Sequence, residues 1–136
     1  MTYLLDVNVL VAWGWSDHAD HARVASWLAS LASGDRILSS AIPQLGFVRL
    51  SVQRTSGLVT VAEAGETLAG MLGPLGGRHA FLPDDQEATV WPEWCSSAAR
   101  TTDAHLLALA TAHAAKLATL DTSIPAAFVV PELGRR

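Results

Sequence analysis

The segment Tyr3-Leu4-Leu5-Asp6-Val7-Asn8-Val9-Leu10 places a carboxylate directly after a short apolar run. We expect residues 3–6 to form a buried strand and residues 7–13 to continue as a helix. An aspartate at such a junction is costly to bury unless hydrogen bonds or a cation compensate its charge. Asp6 is therefore the first candidate functional residue.

Working outward from this segment, short apolar runs alternate with helical patterns. This alternation favours an α/β fold with a mainly parallel sheet. Asp17 is predicted to cap the second helix, and Asp84 with Glu87 has capping-box spacing for a later, short helix. Further strands are predicted at residues 36–38, 79–82, 117–120 and 127–130, and the main helices at residues 18–31, 41–54, 60–72 and 103–115.

Two later aspartates occupy positions comparable to that of Asp6. Asp121 follows the fourth predicted strand, and Asp103 lies at the start of a helix that could reach the same edge of the sheet. Ligands in open parallel sheets bind beyond the carboxyl ends of the strands. Mg²⁺ and Mn²⁺ prefer oxygen ligands, and such ions can activate water and stabilise the charge that develops on a phosphodiester.

Each aspartate also has a structural explanation. Asp6 could accept backbone N–H groups, Asp103 would suit the positive end of a helix dipole, and Asp121 could begin a turn with Thr122. Taken singly, each explanation is as good as a metal site. The three together favour a site.

Composition limits the remaining classes. The chain has 136 residues, of which 50% are hydrophobic and 16% charged, so we expect one domain over residues 1–136 with a sizeable core. A single cysteine, Cys95, excludes an intrachain disulfide and a cysteine metal cluster. With no export signal and no apolar run near the roughly 20 residues that span a bilayer, we expect a cytoplasmic protein without membrane contact. A net charge of −4 argues against broad capture of nucleic acid but not against a nucleic-acid enzyme.

The order and spacing of several motifs resemble those of the PIN-domain ribonucleases, in particular the VapC toxins of bacterial type II toxin–antitoxin systems. The resemblance covers nearly the whole chain. Each motif is weak alone, and their succession is fairly specific. The matching segments are Leu4-Leu5-Asp6-Val7-Asn8-Val9-Leu10, Ser39-Ser40-Ala41-Ile42-Pro43-Gln44-Leu45-Gly46-Phe47-Val48-Arg49-Leu50, Phe81-Leu82-Pro83-Asp84-Asp85, Thr102-Asp103-Ala104-His105-Leu106-Leu107-Ala108-Leu109-Ala110 and Leu117-Ala118-Thr119-Leu120-Asp121.

This resemblance implies a three-layer α/β/α fold of the PIN type, with a central sheet of four or five short strands. It implies that Asp6, Asp103 and Asp121 match metal-binding acidic positions for Mg²⁺ or Mn²⁺. It further implies a metal-dependent endoribonuclease that acts as a toxin, with a VapB-like antitoxin, an RNA substrate and a second copy of the chain as partners.

The chain departs from the family pattern at Gln44, where the second motif usually carries a glutamate. An amide keeps an oxygen that can bind a metal but removes one negative charge. We therefore count Gln44 among the catalytic candidates, either as a weakened metal ligand or as a side chain that orients water or a neighbouring carboxylate.

Two other functions stay open at this stage. A PIN-like domain that binds RNA or a partner without cutting is compatible with Gln44. A receiver-like signalling domain also gathers aspartates at strand ends, but it needs an acidic pair after its first strand and a lysine after its last. Here Val7 follows Asp6, and Lys116 precedes its strand.

The segment 17–21 holds a second cluster of polar side chains. His18 and His21 are three residues apart and could share a helical face that binds a transition metal. Solvated histidines beside a capping aspartate are the simpler explanation. Most of the five tryptophans are expected in the core, and some could line a groove for a partner peptide or a homodimer seam.

Overall fold

A computed structural model describes residues 1–134 of the chain. Its strands are short and separated by helices, as the sequence pattern predicts. The strands are β1 (Thr2–Leu5), β2 (Arg36–Ser39), β3 (His79–Phe81), β4 (Lys116–Thr119) and β5 (Phe128–Val129). The helices are α1 (Val7–Gly14), α2 (His21–Ser30), α3 (Ala41–Arg54), α4 (Val61–Leu72) and α5 (Thr101–Ala112), with short 3₁₀ segments at Gly73–Arg78 and Ala98–Arg100.

The five strands form one parallel sheet in the order β3-β2-β1-β4-β5. Strand β1 lies at its centre, where Leu4 pairs with Leu38 of β2 and Leu117 of β4. The chain moves outward from β1 to β3 and then returns to the other side of β1 with β4. The strand order therefore reverses between β1 and β4, which is where open α/β sheets bind ligands.

Alternating side chains of β1 separate two hydrophobic cores. Tyr3 and Leu5 face a core that α1–α4 cover, whereas Leu4 faces a core that α5 covers. Trp27 packs edge-on against Tyr3 in the first of these, with ring centroids 5.1 Å apart. The sheet thus has helices on both faces, and the predicted three-layer α/β/α architecture is confirmed.

Helix α3 approaches α1 closely at Gly46. A Cβ atom on Gly46 would lie 2.7 Å from Cγ2 of Val7, so only glycine permits this approach. The contact fixes α3 against the first turn of α1, immediately after Asp6.

The prediction that Asp17 caps the second helix is wrong. Helix α2 begins at His21, with Asp20 as its N-cap residue. The backbone first makes two turns, in which His18 N donates to Trp15 O and His21 N donates to His18 O, each at 3.0 Å. Asp17 instead accepts a hydrogen bond from Arg54 Nη2 at 3.2 Å.

The prediction of a short helix after Asp84 is also wrong, because residues 82–97 contain no helix or strand. Asp84 Oδ1 accepts from the backbone N–H of Gln86 at 3.1 Å, and its Oδ2 lies 2.6 Å from His105 Nε2. The carboxylate therefore stabilises a turn and binds α5 instead of starting a helix of its own.

The boundaries of α5 differ from the prediction as well. The helix begins at Thr101, with Arg100 as its N-cap residue, and ends at Ala112, whereas the sequence predicts residues 103–115. Asp103 consequently lies in the first turn of α5. In residues 1–134, no helix is both long enough and apolar enough to cross a membrane.

Candidate active site

Asp6 is the buried centre of the candidate site. It is the N-cap residue of α1, and its Oδ1 accepts a hydrogen bond from Val7 N at 2.7 Å. Its own backbone N–H continues the sheet by donating to Ala118 O of β4 at 2.9 Å. Only 5% of Asp6 is exposed. The carboxylate is thus held by the end of β1, the start of α1 and the neighbouring strand.

Thr119 joins the polar groups at the reversal of strand order. Its Oγ1 donates to Asp6 Oδ2 at 2.8 Å and accepts from Asn8 Nδ2 and from the backbone N–H of Asp121, both at 3.1 Å. The hydroxyl is completely buried at the last position of β4. Sequence reasoning missed this residue, because a threonine in a strand carries no functional signal. The motif that places it two residues before Asp121 was the available clue.

Asn8 has both ends of its amide occupied. Its Nδ2 donates to Thr119, and its Oδ1 accepts from the backbone N–H of Leu120 at 3.1 Å. Asn8 therefore ties α1 to β4.

Asp121 forms the turn that its sequence position allowed, with Ser123 instead of Thr122. Its Oδ1 accepts from Ser123 N at 2.8 Å and from Ser123 Oγ at 2.6 Å. These two hydrogen bonds hold the pKa of Asp121 below its usual range. Among the described residues, Asp121 Oδ2 accepts no hydrogen bond, so one oxygen stays available to a ligand.

Asp103 is half-buried in the first turn of α5 and has a raised pKa. Burial is the larger cause, and the negative charge of Asp121 adds to it, while Arg100 acts in the opposite direction. Arg100 donates to the backbone oxygen of Ser123 at 2.7 Å, with its guanidinium 5.0 Å from the ring of Trp94. One cation thus lies beside Asp103 and Asp121.

The pKa of Asp6 is raised too, chiefly by burial. Hydrogen bonds from Thr119 and Val7 oppose this shift, and the charges of Asp103 and Asp121 reinforce it. The three aspartates therefore share one electrostatic environment that holds an excess of negative charge. Within residues 1–134, however, no three acidic, histidine or cysteine side chains stand as a ready-made metal site.

A cleft of about 350 Å³ opens beside Asp6 and Asp103. Its polar residues include Asn8 and His18 as well as the two aspartates. The remaining lining residues are Val7, Val11, Leu50 and Thr102.

Gln44 is engaged in a separate hydrogen-bonded chain at the end of β2. Its Nε2 donates to Ser39 Oγ at 2.9 Å, and Ser39 Oγ lies 2.7 Å from His79 Nε2. Because Ser39 accepts from Gln44, its own proton is free to donate to His79, whose pKa burial lowers. Gln44 Oε1 takes no part in these hydrogen bonds.

The two histidines of segment 17–21 do not converge on a common metal position. His21 Nδ1 lies 2.9 Å from Ala12 O at the end of α1. His18 Nδ1 accepts from the backbone N–H of Asp20 at 3.0 Å, and His18 lines the cleft.

Comparisons with known proteins bear on the fold and the family of the chain. Residues 3–127 match the PIN domain family. The chain is 38% identical over 130 residues to Ribonuclease VapC39 of Mycobacterium tuberculosis, covering 91% of each protein. It is 35% identical over 124 residues to Ribonuclease VapC38 of the same organism, covering 89% of this chain and 86% of that protein.

Two solved structures share the fold at low sequence identity. The crystal structure of M. tuberculosis VapC20, described as a Sarcin-Ricin loop cleaving toxin, gives a TM-score of 0.66 at 16% identity, covering 96% of this chain and 99% of that one. The structure of VapBC2 from Rickettsia felis, bound to a DNA fragment from its promoter, gives a TM-score of 0.57 at 18% identity, covering 94% and 96%.

Proposed function

Because the chain belongs to the PIN-domain family, within its VapC ribonucleases, we propose that it is an endoribonuclease and the toxin of a type II toxin–antitoxin system. The observation that carries the proposal is Asp6, a buried carboxylate that shares its environment with Asp103 and Asp121. The identity of 38% to a VapC ribonuclease over 91% of the chain supports the same activity. We place the reaction in the cytoplasm, where RNA is made and translated.

The three carboxylates fit a divalent cation by their chemistry. All offer oxygen atoms. Burial raises the pKa values of Asp6 and Asp103, the negative charge of Asp121 adds to both shifts, and a cation would relieve that repulsion. We propose that Asp6, Asp103 and Asp121 hold Mg²⁺ or Mn²⁺. When bound, the ion would supply charge neutralisation at the scissile phosphate and a water of lowered pKa.

The other residues of the site hold the carboxylates in place. Thr119 fixes Asp6 Oδ2 through its hydroxyl, and Asn8 fixes Thr119 through its amide. Hydrolysis by an activated water needs no protein nucleophile. We propose that Gln44 assists through Oε1, as a neutral group that orients water.

We also propose two protein partners. A VapB-like antitoxin would silence the enzyme by covering the cleft, and an arginine from it could pair with the crowded carboxylates as a cation would. A second copy of the chain would form a homodimer. Both partners need apolar surface, and Leu45, Leu58 and Val61 expose 65%, 86% and 66% of their area.

The test is cleavage of total RNA by purified protein, with and without Mn²⁺. We expect cleavage by the wild type with Mn²⁺ and at least a roughly hundredfold slower cleavage by Asp6→Asn. Asp85→Asn is the matched control, because Asp85 is an exposed aspartate outside the cleft. Equal rates for the wild type and Asp6→Asn would contradict the metal site. RNA binding without cleavage by any protein would favour a non-cutting PIN domain.

A further inference from the structure

We propose that His18 binds the phosphate of the RNA strand in the cleft, through its Nε2–H. This proposal rests on the proposed ribonuclease function and adds a residue that contacts the substrate. It begins from the position of His18, which lines the same cleft as Asp6 and Asp103.

The hydrogen bond to Nδ1 decides what the other ring nitrogen can do. Nδ1 accepts from the backbone N–H of Asp20 at 3.0 Å, so it carries no proton of its own. In a neutral imidazole the proton then resides on Nε2, which makes this atom a donor. Among residues 1–134, Nε2 of His18 has no hydrogen-bond partner, so the donor is free for a ligand.

The chemistry of the cleft makes this donor useful. Asp6 and Asp103 only accept hydrogen bonds when ionised, and the amide of Asn8 is engaged with Thr119 and Leu120. Phosphate oxygens also only accept, so an RNA strand needs donors from the protein. A cation held by the aspartates would neutralise charge on the phosphate. His18, which also lines the cleft, would add a directional hydrogen bond.

The loop that carries His18 is built firmly enough to position it. His18 N donates to Trp15 O and His18 O accepts from His21 N, each at 3.0 Å. His21 in turn contacts Ala12 O at the end of α1. The imidazole is thus anchored to α1, whose N-cap residue is Asp6.

Two substitutions separate phosphate binding from a merely structural role. In His18→Asn, the side-chain oxygen can accept from the N–H two residues later, as asparagine does in Asx turns, while the Nε2 donor is lost. In His18→Gln, an amide N–H occupies the position of Nε2, while the acceptor for Asp20 is lost. His113→Asn is the control, since His113 contacts Asp85 at the end of α5.

The first readout is the affinity for a fluorescein-labelled, short, random-sequence single-stranded RNA in Mn²⁺, measured by anisotropy. Asp103→Asn serves as the common background, because the proposed mechanism leaves it unable to cleave. We expect His18→Asn to bind about tenfold more weakly than this background and His18→Gln to recover most of the loss. His113→Asn should bind as the background does.

The second readout is the ¹⁵N spectrum of the histidine rings. We expect the His18 signals to show a protonated Nε2 and an unprotonated Nδ1, and the Nε2 signal to shift when RNA and Mg²⁺ are added. A proton on Nδ1, or an unshifted Nε2 signal in RNA-bound protein, would overturn the proposal.

The cleavage assay distinguishes failure of the His18 proposal from failure of the proposed ribonuclease function. If the wild type cleaves RNA and His18→Asn cleaves and binds equally well, only the role of His18 is overturned. If the wild type neither cleaves nor binds RNA, the proposed function fails and the role of His18 fails with it.

Discussion

Two groups of aspartates in this protein have different surroundings. The site aspartates, Asp6, Asp103 and Asp121, lie near the reversal of strand order, and the charge of Asp121 raises the pKa values of both Asp6 and Asp103. The loop aspartates, Asp84 and Asp85, lie in the irregular segment 82–97, and each contacts a histidine of α5 or its end. Asp84 Oδ2 is 2.6 Å from His105 Nε2, and Asp85 Oδ2 is 2.9 Å from His113 Nε2.

The difference separates structural from functional carboxylates. Hydrogen bonds from Gln86 and His113 lower the pKa of Asp85, so its surroundings stabilise the ionised carboxylate. Burial raises the pKa of Asp6, and the charges of Asp103 and Asp121 add to the shift, so the hydrogen bonds from Thr119 and Val7 compensate its charge only in part. The loop aspartates attach a loop to a helix, whereas the protein compensates the charges of Asp6 and Asp103 only in part.

The largest expected effect on stability comes from removing the side chain that hydrogen-bonds to an aspartate, which is Thr119 for Asp6 and His105 for Asp84. Thr119→Val keeps the shape of the side chain but leaves Asp6 Oδ2, Asn8 Nδ2 and Asp121 N without the hydroxyl. We expect a loss of about 2–3 kcal/mol in the free energy of unfolding, measured by urea denaturation without metal. His105→Leu should cost about 1 kcal/mol, because Asp84 loses one hydrogen bond and its Oδ1 keeps the backbone N–H of Gln86. Equal losses would erase the distinction between the two groups.

The next effect concerns metal affinity. Asp103→Asn removes one carboxylate from the cleft, and we expect affinity for Mn²⁺ to fall about tenfold, measured by calorimetry without RNA. Asp85→Asn should bind Mn²⁺ as the wild type does. A comparable loss from Asp85→Asn would place a metal site in the loop instead of the cleft.

The smallest effect is a difference in pH dependence. The raised pKa of Asp6 means that the folded state binds more protons than the unfolded state. Metal-free stability should therefore fall as pH rises from the unfolded pKa through the folded pKa of Asp6, by less than the loss expected for Thr119→Val. Asp6→Asn should remove that fall.

Asp85 should act in the opposite direction. Its folded pKa lies below the unfolded value, so its contribution is present at higher pH and is lost as pH falls through the folded pKa. Asp85→Asn should remove this acid-side loss and leave the Asp6 effect intact. Urea denaturation across a range of acidic to neutral pH measures both effects. If the free energy of unfolding of Asp6→Asn depends on pH as that of the wild type does, the raised pKa of Asp6 is contradicted.

Much of the cleft could be predicted from the sequence, for a physical reason. Asp6 and Asp121 follow apolar runs, and parallel strands present their carboxyl ends at one edge, so the pattern of residues alone predicts that they converge. The adjacency of β1 and β4 could not be predicted, because it depends on how the whole sheet is ordered. Thr119 was missed for the same reason, since its contact with Asp6 spans 113 residues.

The irregular structure of residues 82–97 could not be predicted, because a distant contact overrides the local capping-box pattern. Asp84 and Glu87 have the spacing of a capping box, which takes no account of distant residues. His105, 21 residues further along, binds the Asp84 carboxylate and holds it against α5. A tertiary contact thus displaced a local preference, as Arg54 also does at Asp17.

The long span between Asp6 and Thr119 has a consequence for the synthesis of this protein. A growing chain that has completed α1 carries Asp6 but lacks the strand that holds it, because β4 comes 113 residues later at the Thr119 contact. The candidate site therefore exists only after β4 has left the ribosome and paired with β1. The nascent chain therefore carries no assembled candidate site until that late step.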